Sequence, residues 1–316
     1  MATKLGRREF LNRSAKFGLS AVLGKTLVPG LRGGRPLAGA ADRVDIAVVS
    51  GTDYGAMTAK AVELVGGIEK FIHPNSRVLL IPNVQSKNPG TFTKPEIFRS
   101  VIRMCKEAGA KEIACLSSLT PQHWEGAGLD TIVREENITL KLIPREDTHF
   151  RPVPIPGGTT LPEARIMNEF FNYDAFINMP VTKDHAGNKF TGTMKNLMAL
   201  NSPNLNRSAF HKPNWKTDPN DIAHLDACIV DLNLALQPAL NIVDATEIIT
   251  TNGPMGPGDL IKPMKVIAGL DRVAVDACCA GILGMKSEEI GTIRLAFQKK
   301  IGEIDLKKLA VKEVKV

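Results

Sequence analysis

From Val44 onward, short apolar runs alternate with longer stretches whose apolar positions recur at helical spacing. Residues 44–49 read as a first strand and residues 56–71 as the helix that follows. Further strands are predicted at 78–81, 113–116, 140–143, 175–177, 240–244 and 265–269. Compact apolar runs with little polar alternation are what strands covered on both faces require. Residues 95–108 open with Pro95 in the first turn and end at Gly109, the expected punctuation of a helix. Residues 221–236 carry Ile222, Leu225, Ile229, Leu232 and Leu236 at helical spacing, and Pro238 stops them. Helices are also expected over 120–128, 164–172, 272–283 and 287–302, with 248–250 continuing the preceding strand after a break. The Pro- and Gly-rich run 146–162 predicts an excursion over the surface.

Strands separated by helices imply an α/β fold, doubly wound, with a mostly parallel sheet and helices on both faces. At 316 residues and 43% hydrophobic content, the chain can bury a substantial core. Residues 41–316 read as a single domain, with 150–162 the one weak point where two lobes could divide. There is no internal repeat at a solenoid period.

Charge changes the picture at one end only. Lys4, Arg7, Arg8, Arg13, Lys16, Lys25, Arg32 and Arg35 stand against Glu9 and account for the formal excess of +7. The body is near neutral and lacks the general attraction to phosphate backbones of nucleic-acid binders. The Gly6-Arg7-Arg8-Glu9-Phe10-Leu11-Asn12 segment resembles the twin-arginine export signal, and Ala38-Gly39-Ala40 supplies small residues for cleavage. Residues 1–40 are therefore expected to be a signal peptide engaging the twin-arginine export machinery, with a periplasmic product. The apolar run 17–23 is too short for a stable membrane span. This route carries folded proteins, often with a cofactor already inserted, but the sequence names no cofactor. Cys105, Cys115, Cys228, Cys278 and Cys279 lack zinc or iron–sulfur spacing and read as buried small hydrophobes.

The chemistry concentrates between Asp174 and His211. A buried strand ends in Asn178-Met179-Pro180 and opens into a loop holding Lys183, Asp184, His185, Asn188, Lys189, Thr191, Thr193, Lys195 and Asn196. Open α/β sheets place their sites at such strand ends. Lys183 and His185, two apart, share a face if extended, and Lys183, His185, Lys195 and His211 are the candidate catalytic residues. Residues 191–196 look like a turn into a helix whose free N–H groups, with Lys195, would cradle an anion. Thr193, Asn196 and Arg207 are candidate ligand contacts, as is Asn83 at the end of the second strand. Asn252, Gly253 and Gly256 belong to a Gly-rich loop suited to a second wall or lid. Asp271 reads as a helix N-cap, and Asp276, if buried, needs a partner such as Lys183 or Lys195. A metal set from His185, His211 and Asp244 or Asp276 would suit zinc, nickel or iron, though no short-range spacing supports it.

The pattern D-x-x-I-N-x-P-x-x-K-x-H, then T-G-x-x-K-N-L, resembles the family called domain of unknown function 362. Arg207 with His211, Ile242-Val243-Asp244, Asn252 to Gly256 and Asp271 to Ala277 agree in order, so the likeness spans roughly residues 44–302. The resemblance implies the α/β fold and the site position. Relatives usually carry a Lys before the Pro-Asn of the second strand; here Ile81 stands in that place, and the iron–sulfur cysteines of many relatives are absent. The leading expectation is an exported enzyme acting on a small anionic or carbonyl-bearing substrate. The alternatives are a metal- or iron–sulfur-linked redox protein loaded before export, and a non-catalytic periplasmic binding protein for a small anion.

Overall fold

The computed structural model describes residues 43–316. The expected export signal lies outside the described residues. β1 (Ile46–Ser50) leads through Asp53, whose carboxylate caps the N–H of Ala56, into the helix Tyr54–Leu64. That helix is shorter than the spacing predicts, because Gly66 and Gly67 turn the chain at positive φ and Ile68–Lys70 is a separate 3-10 turn. β2 (Arg77–Pro82), the helix Pro95–Glu107 and β3 (Glu112–Ser117) follow as expected. Two short helices, Pro121–Gly126 and Leu129–Glu135, then lead to β4 (Thr139–Leu142).

The next segment departs from expectation. β5 (Phe150–Pro154) and β6 (Glu163–Met167) form an antiparallel hairpin, so 164–167 is strand rather than helix, and only a 3-10 stretch, Asn168–Asn172, follows. Buried Ala164 and Ile166 flank half-exposed Arg165, the period of two that marks a strand. β7 (Ala175–Met179) returns to the main sheet, and β8 (Lys183–His185) with β9 (Lys189–Thr191) makes a second small hairpin. After the helix Pro219–Ala235 comes β10 (Leu240–Ala245). β11 (Ile248–Ile249) does not extend it; it pairs with β12 (Leu260–Ile261) in a separate ribbon. β13 (Lys265–Gly269), the helix Arg272–Ile282, the helix Gly291–Gln298 and β14 (Val311–Lys315) complete the chain.

The main sheet has eight strands in the order β14-β1-β13-β10-β7-β2-β3-β4, and β13 alone runs against its neighbours. Alternate side chains feed two separate cores. On one face Ile46, Leu79, Leu116 and Ile267 pack under the helices Pro219–Ala235, Arg272–Ile282 and Gly291–Gln298. On the other, Ala47, Leu80, Cys115 and Val266 meet the helices Tyr54–Leu64 and Pro95–Glu107. Leu79 and Leu80 are neighbours facing opposite layers, both fully buried, and truncating either to Ala would cost ~2–5 kcal/mol. From β2 the order runs outward through β3 and β4; from its other neighbour, β7, it runs the opposite way. The reversal falls between β2 and β7, where a crevice opens beyond the strand ends.

Candidate functional site

At this switch point β2 ends in Pro82-Asn83 and β7 in Met179-Pro180, with Ser117 and Ser118 at the end of β3 beside them. Pro82, Asn83, Ser117 and Ser118 border a cavity of about 620 Å³. His185, Thr191, Lys195 and Asn196 form one wall; Asn201, Arg207, His211 and Trp215 form the next, and Asn252 to Met255 close the rim.

Lys183 and His185 share a side of β8, as expected, and both are buried. They serve different places. His185 faces the cavity, whereas Lys183 does not line it: its ammonium donates to Asn83 Oδ1 at 3.1 Å and to the Thr91 carbonyl at 2.6 Å. Burial without a carboxylate lowers its pKa to about 7. The placement of Lys183 among the groups that touch substrate is therefore corrected.

From Lys183 a head-to-tail chain of amides runs beneath the site. Asn83 Nδ2 donates to Asn196 Oδ1 at 3.0 Å, Asn196 Nδ2 to Asn178 Oδ1 at 2.8 Å, and Asn178 Nδ2 to Asn241 Oδ1 at 3.0 Å. Asn241 Nδ2 ends the chain on the Gly269 carbonyl at 3.2 Å. Each buried amide is satisfied on both sides, which fixes Asn83 and Asn196 as positioned wall groups. Ile81, where the resemblance expects a Lys, lies on the same wall, and its carbonyl accepts from Asn196 Nδ2 at 3.0 Å.

The expected anion cradle exists, but the protein fills it itself. The helix Thr193–Asn196 presents the N–H groups of Thr193 and Met194 to the Asp276 carboxylate at 2.6 and 3.1 Å. Gly192 has no room for a side chain, because a Cβ there would strike Asp276 Oδ1. Thr193 Oγ1 donates to the Arg272 carbonyl at 2.9 Å, so Thr193 is spent on structure and does not line the cavity. Asp276 thus finds backbone donors rather than Lys183 or Lys195. Burial pushes its carboxyl up to about 7, against the pull of those N–H groups and of Arg272. Asp271 caps its helix as predicted, accepting from Val273 and Ala274.

Lys195 remains at the cavity, half-buried, and donates to Asn188 Oδ1 at 2.9 Å. Asn188 in turn donates to Asp226 Oδ1 at 3.1 Å. Burial lowers the Lys195 pKa to about 7, offset in part by the charge of Asp226. The same burial raises Asp226 to about 6. His185 and His211 both pack against Trp215, with ring centroids 5.3 and 4.9 Å from it. Desolvation, then repulsion from Lys195, drops His185 to about 2 and His211 to about 4, so both rings are neutral near pH 7.

The Gly-rich loop is a wall, as anticipated. Gly253 N–H donates to Asp184 Oδ2 at 2.8 Å and its carbonyl accepts from Ala186 at 3.1 Å, an approach too close for any side chain. Ser86 Oγ and Asn88 Nδ2 each hold the Met255 carbonyl at 2.8 Å. Asn252 and Gly253 reach the cavity; Gly256 turns the loop at positive φ behind it.

No metal set forms at the expected residues. Asp244 accepts from Lys94 N–H and from Thr246, and Asp276 is taken as described. Among the described residues no three His, Cys, Asp or Glu side chains gather at ligand distance. The five cysteines are unpaired, and burial raises their thiol pKa values.

Sequence reasoning missed Arg145, Asn201, Trp215 and Trp124 on the wall, and Asp226 behind Lys195. Trp215 was the findable one: a large aromatic four residues after His211 in a polar turn is costly unless it packs on something.

Fold and crevice define an α/β protein with a cavity at its topological switch point. Residues 78–281 match the family described as Domain of unknown function (DUF362). The chain is 30% identical over 250 residues to the Thylakoid-associated protein sll1697 of Synechocystis sp., covering 76% of this chain and 73% of that one. It belongs to the DUF362 family. The lactate racemase apoprotein from Thermoanaerobacterium thermosaccharolyticum resembles it at 14% identity and a TM-score of 0.47, over 79% of this chain and 58% of that chain. Among the described residues no helix is long and apolar enough to cross a membrane.

Proposed function

We propose that the protein is an enzyme acting on a small anionic or carbonyl-bearing substrate held in this cavity. The observation that carries the reading is the charge of the wall: Arg145, Lys195, Arg207 and Lys216 line it, and among the described residues no Asp or Glu does. The planar guanidinium groups of Arg145 and Arg207 suit the flat oxygens of a carboxylate or phosphate. Lys195 is the group for proton transfer, since a pKa of about 7 lets one amine both take and return a proton. As the neutral amine it removes a proton next to the substrate's anionic or carbonyl group, and as the ammonium it gives the proton back. Asn188 aims it. His185 and His211, neutral and braced by Trp215, hydrogen-bond to substrate oxygen rather than carrying charge.

The test combines binding and isotope exchange. Small carboxylates and phosphate esters are screened for thermal stabilisation, and the hits are incubated in D2O and followed by NMR. At least one hit is expected to exchange a C–H with solvent or turn over. Lys195→Met should abolish this while stabilisation persists, and Arg207→Ala should weaken binding by roughly 10–100-fold, the worth of a charged hydrogen bond. Stabilisation without exchange or turnover would instead identify a binding protein.

The proposal includes export through residues 1–40. A reporter fused to them should reach the periplasm, and Arg7→Lys with Arg8→Lys should retain it in the cytoplasm.

A further inference from the structure

The cations make up only part of the cavity wall. Leu119, Met198, Trp215, Pro254 and Met255 also line it, and none of the five is buried; Met255 is 43% exposed. They come from four segments: the end of β3, the 3-10 turn Leu197–Leu200, the polar turn after His211 and the rim loop. Scattered singly, exposed apolar side chains carry no information. Converging on one cavity, they hold apolar surface in water that a ligand would cover. Their placement relative to the charges follows from the backbone. Lys195 and Met198 are three residues apart on consecutive helical turns, the spacing that puts side chains on one face, and both line the cavity. The turn carrying Met198 packs against β3, whose end leads into Leu119. Lys195 also acts on the His185 and His211 rings, and Arg207 on His211, so the cationic and the apolar groups adjoin at Lys195. Arg145 joins the wall from the β3 side: its chain leaves β4 where Ile143 N–H donates to the Ser117 carbonyl at 2.7 Å, and it is exposed.

We infer that the substrate is an amphipathic anion, with one carboxylate or phosphate head at Lys195 and Arg207 and a hydrocarbon body, chain or aryl, lying on Met198 and Leu119. The flexible thioether of Met198 adapts to either shape of body. Sites for such molecules are mostly apolar, with a few polar groups that fix orientation. The size agrees. A volume of about 620 Å³ falls in the range of about 300–1,000 Å³ that drug-sized ligands fill, whereas a two- or three-carbon acid displaces only a few waters of about 30 Å³ each. The inference rests on the proposed reading of the cavity as an anion site and specifies its substrate class.

Simple acids test it, by calorimetry on the full chain. Butyrate, hexanoate and octanoate differ only in methylenes, and affinity is expected to rise by about two- to fourfold for each one until the cavity is filled. Adipate is hexanoate with a carboxylate in place of the terminal methyl. Hexanoate is expected to bind about tenfold tighter or more, because the second carboxylate would have to give up water against apolar side chains. Phenylacetate against octanoate, equal in carbon count, tells an aryl body from a chain. Met198→Asn should bring the gain per methylene close to one; Leu119→Ser is the second variant should the first not fold. Affinity that stays flat along the chain series, a gain unchanged in both variants, or adipate binding tighter than hexanoate overturns the inference while the anion site stands. If neither these acids nor inorganic phosphate binds, the anion site itself fails.

Discussion

Lys195 shows how burial alone can bring the pKa of a common side chain close to neutrality. Its ammonium has Asn188 Oδ1 for its hydrogen-bond partner, and the charge of Asp226 behind that amide offsets only part of the desolvation, so the pKa is lowered to about 7. Anion binding favours the protonated form, and binding is therefore linked to proton uptake. Affinity should fall as pH rises through about 7, by up to about tenfold per unit, and Lys195→Met should flatten the profile. His211 and His185, at about 4 and about 2, add nothing to that window. Turnover that needs the free amine should follow the pKa of Lys195 in the complex, which anion binding places above about 7, so kcat rises with pH while affinity falls. Calorimetry and kinetics from about pH 6 to about pH 9 check both. A second residue sets the frame for Lys195. Asp276→Ala strands the N–H groups of Thr193 and Met194 in the core, at ~1–3 kcal/mol each, whereas Asp276→Asn keeps one acceptor and should cost less. Urea denaturation of the two variants measures the difference.

At the scale of elements, the inner strands of the main sheet were legible because each is covered on both faces and its residues are correspondingly apolar, and the half-exposed edge strand β4 was read from Leu140, Leu142 and Ile143. At the other edge both the cover and the signal are missing. β14, with Lys312, Glu313 and Lys315 exposed on the sheet edge, looks like any polar tail until it pairs with β1. β6 hid under a helical reading because Phe170 and Phe171 extend its three buried residues, Ala164, Ile166 and Met167, into a pattern of either period. The site was legible as a place and not as an arrangement. Nothing local to residues 191–196 reveals that the helix start is claimed by Asp276, because the partner lies 83 positions away. Nor does local sequence show that Lys183 turns towards Thr91 while His185, two residues on, faces the cavity. The rim loop gives a test at this scale. Gly253 touches the Asp184 backbone, so Gly253→Ala must lift the loop from β8. We expect a stability loss of ~1–3 kcal/mol together with weaker ligand binding, read by denaturation and calorimetry on the same samples.

For the whole molecule, the site leaves a mark on stability. Asp276 and Asp226 have folded pKa values raised by burial to about 7 and about 6, above their unfolded values. Between the unfolded and folded pKa the unfolded chain has already lost the proton that the folded chain keeps, so the contribution of these two groups falls as pH rises from about 4 to about 7. His185 and His211 oppose it: their folded values of about 2 and about 4 lie below the unfolded one, so over about pH 4 to 6 the unfolded chain holds two protons there that the folded chain lacks. Lys183 and Lys195 have folded values lowered to about 7 from about 10.5. There the unfolded chain holds the extra proton, so stability rises from about pH 7 to about pH 9. The acid contributions offset one another, and the lysine rise is the mark that remains. Urea unfolding at about pH 5, 7 and 9 should show little change between the first two and a rise to the third, which Lys183→Met should shrink. A bound anion should flatten the rise as well, because it lets Lys195 keep its proton in the folded state. If the rise is unchanged at saturating ligand, Lys195 is not the group that meets the anion.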